Sequence, residues 1–286
     1  DARLRQFAAF YEKRLRLQAP GESLPNDDWR EALGQRRYES ALAAKFDEDL
    51  RSRGSIALLR DVVPHLTSGL ASEAFHGAIR LAYAVDSGDD VDLAGSLAAW
   101  VTGFSEMHGA PAEKRFDRAI DAFGAIAADD RFGAPLEGRS IDARLAKVNA
   151  LPSFDDYRSS IANVALPDLA MIAARIFIAT GDFVALHLVT ACHAVRVLQP
   201  FLAPSALDIL ANAMLAAYIA IGRPPLATEI IDEATDLASR AVTSDDDHDL
   251  KLVYCCLQEE AHYNSGLHRT AAVVRLRGHE EIGTQR

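Results

Sequence analysis

The sequence predicts an all-α fold, an irregular multi-helix bundle of roughly 10–13 helices with no significant β-sheet. Three observations predict it. Apolar residues recur at helical spacing through most of the 286 residues, in a chain rich in alanine and leucine. No clean run of alternating β-branched residues stands between turn residues. Breaks rich in glycine, proline, serine and aspartate punctuate the periodic stretches.

The elements follow in order. Residues 2–17 make an amphipathic helix with Leu4, Phe7, Ala8, Tyr11 and Leu15 on one face, stopped by Ala19-Pro20-Gly21. Residues 20–36 read as loop with a short turn at Trp29. Residues 38–53 are the second helix, ended by Gly54. Ser55 is placed to cap residues 56–66, where Pro64 should kink or end the helix. After the break at Thr67-Ser68-Gly69, Ser72 is placed to cap residues 73–85. Residues 91–104 carry Trp100 on their apolar side, and Gly109-Ala110-Pro111 separates them from a helix over 114–128. Residues 129–154 read as a polar connector with one short helix near 141–148.

The second half is more apolar. A weak helix over 155–164 precedes one over 169–180, with Pro167 near its first turn. Residues 183–198 follow, ended by Pro200 and Pro204. Ser205 is placed to cap 206–221, and an amphipathic helix follows over 228–241. Ser244-Asp245-Asp246-Asp247 suits the positive end of a helix over 248–264, and residues 268–276 form a last helix. Helix pairs recur without a fixed period, so no solenoid is predicted. The chain reads as one domain over residues 1–286: a helical half over about 1–128, the connector, and a helical half over 155–277.

A net charge of −11 argues against non-specific nucleic-acid binding and against docking on an anionic membrane. Cys192, Cys255 and Cys256 match neither a disulfide framework nor a zinc spacing, and read as small buried hydrophobes in a reducing compartment. No secretory leader pattern and no apolar span of about 18 residues is found. Together these point to a cytoplasmic protein with neither nucleic acid nor membrane as partner. Five lysines stand against 25 arginines, so each lysine is read individually.

His108, His268 and His279 sit at element ends or in polar surroundings and read as surface residues. Four other histidines fall in two pairs, His65 with His76 and His187 with His193. Two imidazoles in the apolar stretch 187–193 need partners for their ring nitrogens. On an ideal helix His187 and His193 lie about 9 Å apart along the axis and about 120° apart around it. Nitrogens sharing one ion lie only about 3 Å apart. Chelation by this pair therefore predicts a distortion near Val189–Cys192. His65 and His76 lie about 16 Å apart on an unbroken helix, but the Gly69 break allows the chain to fold back. Both pairs read as hydrogen-bonded core histidines or as metal ligands. Lys251 sits on a largely apolar helix. If buried, its neutral amine could add CO₂ and become an anionic oxygen ligand; otherwise it reaches Asp245, Asp246 or Asp247.

Three segments then carry a resemblance: residues 66–84 with Gly69, Ala74-Phe75-His76 and Ile79-Arg80-Leu81-Ala82-Tyr83; His187-Leu188-Val189-Thr190 with His193-Ala194-Val195-Arg196; and Asp247-His248-Asp249-Leu250-Lys251-Leu252 followed by Cys256-Leu257 and Glu260. Together they resemble the questin oxidase-like family, over about residues 29–272. The resemblance implies oxygenases of anthraquinone- and aflatoxin-type pathways, some of them Baeyer–Villiger oxidases using NADPH. It also implies, from an anthraquinone ring-cleaving member, iron held by four histidines and a carboxylated lysine. Carried over by residue, these are His65, His76, His187, His193 and Lys251, with CO₂ on Lys251. This chain is shorter than those members, which bears on the substrate pocket.

All-nitrogen and oxygen ligation without thiolate suits Fe(II), with O₂ and a small aromatic or quinone-like compound as co-substrates. Phe75, Tyr83, Trp100, Phe183 and Tyr254 are candidate pocket walls, and His248 a candidate acid/base or supporting residue. Three functions compete: a non-haem iron oxygenase, a metal-free NADPH-assisted Baeyer–Villiger-type oxidase, and a non-catalytic all-α binding protein. No Gly-x-Gly-x-x-Gly motif is present for a Rossmann nucleotide site.

Overall fold

The computed structural model describes residues 22–107, 109, 111–231 and 236–283, together with residue 5. The helix expected over 2–17 lies outside these apart from Arg5, as do His108 and the side chain of His279. Short 3-10 turns, Pro25–Asp27, Trp29–Ala32 and Arg36–Tyr38, seat Trp29 and Tyr38 in the core. The first half then builds α1 (Glu39–Arg53), α2 (Ser55–Leu66), α3 (His76–Ser87), α4 (Asp90–Thr102), β1 (Phe116–Arg118), α5 (Ala119–Ala127) and α6 (Ile141–Asn149). The second builds α7 (Pro152–Asp155), β2 (Ile161–Asn163), α8 (Leu166–Thr180), α9 (Phe183–Leu198), α10 (Ala206–Ala220), α11 (Leu237–Thr243), α12 (Asp247–Tyr263) and α13 (Gly266–Gly283). The fold is all-α in substance, as the helical periodicity predicts. No helix among the described residues is long and apolar enough to cross a membrane.

Helix α9 organises the packing. Its residues from Val184 to Val195 are all buried, because almost every side chain on the helix is apolar. It packs against α3, α8, α10 and α12. That places the start of α3 and the length of α12 on flanks of the two histidines of α9. One apolar core runs from Trp29 to Leu276.

Several local expectations are corrected. Ser72 does not cap a helix at residue 73. Glu73, Ala74 and Phe75 all adopt left-handed backbone, with φ of 51°, 58° and 68°, and α3 starts at His76. Each such residue costs roughly 1–2 kcal/mol. The turn is held from outside: Asp142 Oδ1 accepts from Ala74 N at 2.7 Å, and Ser72 Oγ bonds both the N and the O of Ser105. Ser55 is the first residue of α2, and Gly54 takes the cap position with φ 80°. Ser205 caps α10 without a side-chain bond.

The helix expected over 114–128 begins only at Ala119, and the one over 155–164 is replaced by α7 and β2. Strands β1 and β2 pair in parallel, Phe116 with Ile161 and Arg118 with Asn163. Residues 223–231 have no regular structure, so of the stretch 228–241 only the end, in α11, is helical among the described residues. The acidic N-terminus of α12 is as expected: Asp246 caps it, accepting from His248 N at 2.9 Å, with Asp247 and Asp249 in the first turn. Helix α9 is unbroken from Phe183 to Leu198, so the distortion expected near Val189–Cys192 is not found. His187 and His193 serve different partners, and nothing requires the helix to bend.

Candidate functional site

His76 is the first residue of α3, and the left-handed turn before it brings Glu73 O to its ring: Nδ1–H donates there at 2.5 Å. His187, 2% exposed on α9, donates from Nδ1 to Phe183 O at 2.7 Å. A carbonyl only accepts, so in both rings the proton sits on Nδ1 and Nε2 keeps its lone pair. The two Nε2 atoms face each other at 3.3 Å. Burial, opposed by the bond to Phe183 O and aided by the neighbouring His76, His248 and Lys251, holds the His187 imidazole down to about 4. Burial, then the charge of Lys251, lowers His76 as well. Near neutral pH both rings are uncharged, and two lone pairs repel unless a proton or a cation lies between them.

The start of α12 adjoins this pair. The Phe183 ring packs between His187 and His248, with centroids 4.6 Å and 4.9 Å away. His248 Nδ1–H donates to Asp246 Oδ1 at 2.8 Å, and Asp246, Asp247 and His248 together offer ligand atoms within 4.8 Å of one another. Lys251 Nζ donates to Asp247 Oδ2 at 2.5 Å, and its side chain is 42% exposed. The burial that a carbamate on Lys251 would need is therefore not found; the lysine makes the i, i+4 pair with Asp247.

The remaining two histidines lie elsewhere. His65 is exposed, edge-on to Trp29 at 5.7 Å between centroids. His193, 1% exposed, sets Nδ1 2.8 Å from Glu259 Oε1 and 3.3 Å from Arg196 Nη2, and Nε2 3.3 Å from Asp86 Oδ2. Among the described residues, no three of the four histidines bring ligand atoms within 4.8 Å of one another. The structure thus joins His76 with His187, sets Lys251 beside them, adds His248, and keeps His65 and His193 apart.

A metal ion fits the His76–His187 pair. Their nitrogens stand near the roughly 3 Å separation of neighbouring ligands at bonds of about 2.1 Å. Their tautomers are fixed by carbonyls, the usual outer support of metal-bound imidazole. Asp246 and Asp247 stand with His248 at the start of α12, but among the described residues no carboxylate oxygen lies within 4.8 Å of both imidazole nitrogens. No thiol competes: Cys192, Cys255 and Cys256 are buried, and burial pushes each thiol up. Imidazole nitrogens without thiolate are a donor set that iron accepts.

A cavity of about 460 Å³ opens between α3 and α12, lined by Tyr83, Asp86, Ser87, Leu250, Lys251 and Tyr254. Of the aromatic residues considered as walls, Tyr83 and Tyr254 line it, while Phe75 and Trp100 are core. Tyr83 O–H donates to Lys251 O at 3.3 Å, and Tyr254 O–H to Asp86 Oδ2 at 3.0 Å. Burial and then the bond to Asp86 push the Tyr254 phenol up to about 12. A larger hollow of about 900 Å³ beside Pro135, Arg144 and Lys147 holds no comparable cluster.

Asp86 and Glu259 are the residues that sequence reasoning missed. Glu259 left a signal: it follows Leu252 and Cys255 at helical spacing, an acid on the buried face of α12.

No curated protein matches the chain. A family model described as Questin oxidase-like matches residues 1–256, which takes in His76, His187, His193, His248, Lys251 and Tyr254. A match over most of the chain shows the family: the chain belongs to the questin oxidase-like family, a family of oxidoreductases acting on small molecules.

Proposed function

We propose that the protein is a non-haem iron-dependent oxygenase of an aromatic or quinone-type small molecule. The observation that carries this reading is the pair of Nε2 lone pairs converging at 3.3 Å, each ring with its proton committed to a backbone carbonyl. His76 and His187 would hold the ion. Bound Fe(II) would supply the O₂-binding and electron-transfer chemistry that no side chain provides.

The rest is work for the protein's own residues. Tyr83, Tyr254 and Leu250 offer apolar walls for a flat ring. Lys251, held by Asp247, sets a cation at the cavity wall and close enough to lower both His76 and His187. There it would stabilise negative charge on a substrate oxygen. Phe183 covers the corner between His187 and His248 and limits water there. Elemental analysis of protein expressed with iron and purified without oxygen tests the reading. Iron lost in His187→Ala supports it, and turnover by iron-free protein would favour the metal-free oxidase instead.

A further inference from the structure

Behind the cavity lies a chain of polar groups that the proposed iron chemistry does not use. Glu259 is 0% exposed, and its Oε1 accepts from both Arg196 Nε at 2.7 Å and His193 Nδ1 at 2.8 Å. His193 passes the chain on, donating from Nε2 to Asp86 Oδ2 at 3.3 Å, and Tyr254 O–H donates to the same oxygen at 3.0 Å. His193 Nε2 faces only the Asp86 carboxylate, which accepts, while Nδ1 faces Glu259 Oε1 with Arg196 Nη2 also 3.3 Å away. Asp86 is 27% exposed and forms part of the cavity wall.

Burying such a chain is costly, and well-packed apolar residues would serve folding as well or better. What the chain does accomplish is to fix one carboxylate. Both bonds that hold Asp86 fall on Oδ2, which leaves Oδ1 for a ligand in a cavity whose other walls are Tyr83, Ser87, Leu250, Lys251 and Tyr254. A carboxylate held in this way seeks a hydrogen-bond donor.

We infer that Asp86 is the acceptor that orients a hydroxyl group of the ligand in the α3–α12 cavity, with His193 and Tyr254 as its positioning residues. This rests on the reading of that cavity as the substrate site. The specificity is for a ring bearing O–H over the same ring bearing O–CH₃, since only the first can donate.

The test compares 2-naphthol with 2-methoxynaphthalene, binding of each being measured by calorimetry on the full chain, metal-free and iron-loaded. Wild-type protein should prefer 2-naphthol by at least about tenfold in both states, the scale of one charge-assisted hydrogen bond. In Asp86→Asn, the amide oxygen is drawn to the His193 and Tyr254 donors, which turns the NH₂ toward the ligand. The preference should then fall to about equality, because a donor now meets a donor. A merely structural role for Asp86 would weaken both probes alike and leave their ratio unchanged.

Equal binding of the two probes by wild type, failure of wild type to bind 2-naphthol at all, or an unchanged ratio in Asp86→Asn overturns the inference. The wild-type comparison does not depend on the variant folding. Iron content of the same samples keeps the two readings apart. Discrimination without iron binding supports the role of Asp86 while the metal reading falls; iron binding without discrimination does the reverse.

Discussion

His76 Nε2 and His187 Nε2 face each other at 3.3 Å across the gap between α3 and α9, with neither ring free to place a proton there. The contact is favourable when a proton or a metal cation occupies the gap. It also sets the electrostatics of metal-free protein, from which the first prediction comes.

In chelator-treated protein, stability should fall as pH drops from about 6.5 to about 4. Burial holds the folded His187 imidazole down to about 4, while the unfolded ring titrates near 6.5. Between those values the unfolded chain binds a proton that the folded chain refuses, so stability rises with pH across the window. The loss should approach about 3 kcal/mol at the acid end and level off below it. Urea unfolding of wild type and His187→Gln across the window measures the difference; identical pH dependence in the two proteins contradicts it.

Gly77→Ala should destabilise the fold by roughly 1–3 kcal/mol through overpacking. A Cβ at this position would lie 2.4 Å from Trp100 Cδ1, and Trp100 is buried with its Nε1–H bonded to Gly69 O. Relief of the clash pushes α3 from α4 and carries the neighbouring His76 with it. Weaker metal retention should accompany the loss. A neutral substitution by urea unfolding would show that α3 and α4 are not packed as described.

Glu259→Ala and Glu260→Ala should differ sharply although adjacent. The first leaves His193 and Arg196 without their shared acceptor in the interior, a loss of about 3–5 kcal/mol. The second removes a partly exposed partner of Arg269, a loss of about 1 kcal/mol or less. Equal midpoints in chemical denaturation would rule out the buried network.

The helices were legible because their signal is local. The apolar face of α9 and the acid-rich start of α12 can be read within a few residues of themselves. Strands β1 and β2 were not, since each has three residues and its partner lies about 45 positions away. The left-handed turn at Glu73, Ala74 and Phe75 was equally hidden. No glycine marks it, and Asp142 holds it from a distant helix.

The site divides along the same line. That the histidines of α9 need partners follows from their apolar surroundings, whereas a link of Lys251 to His76 and His187 comes only from the family resemblance; in the fold the Lys251 charge is near enough to lower both rings. Which imidazoles meet depends on how α3, α9 and α12 cross, and that is not written in spacing. His193 therefore turns to Asp86 and Glu259, His65 to Trp29, and His248 comes into the corner.

The central claim is that His76 and His187 hold iron. Iron content of protein expressed with iron and purified without oxygen tests it most directly, compared across wild type, His76→Ala, His187→Ala and His65→Ala. Wild type and His65→Ala should each retain about one iron per chain, and the other two variants almost none. Iron absent from wild type, or retained in both His76→Ala and His187→Ala, would contradict it.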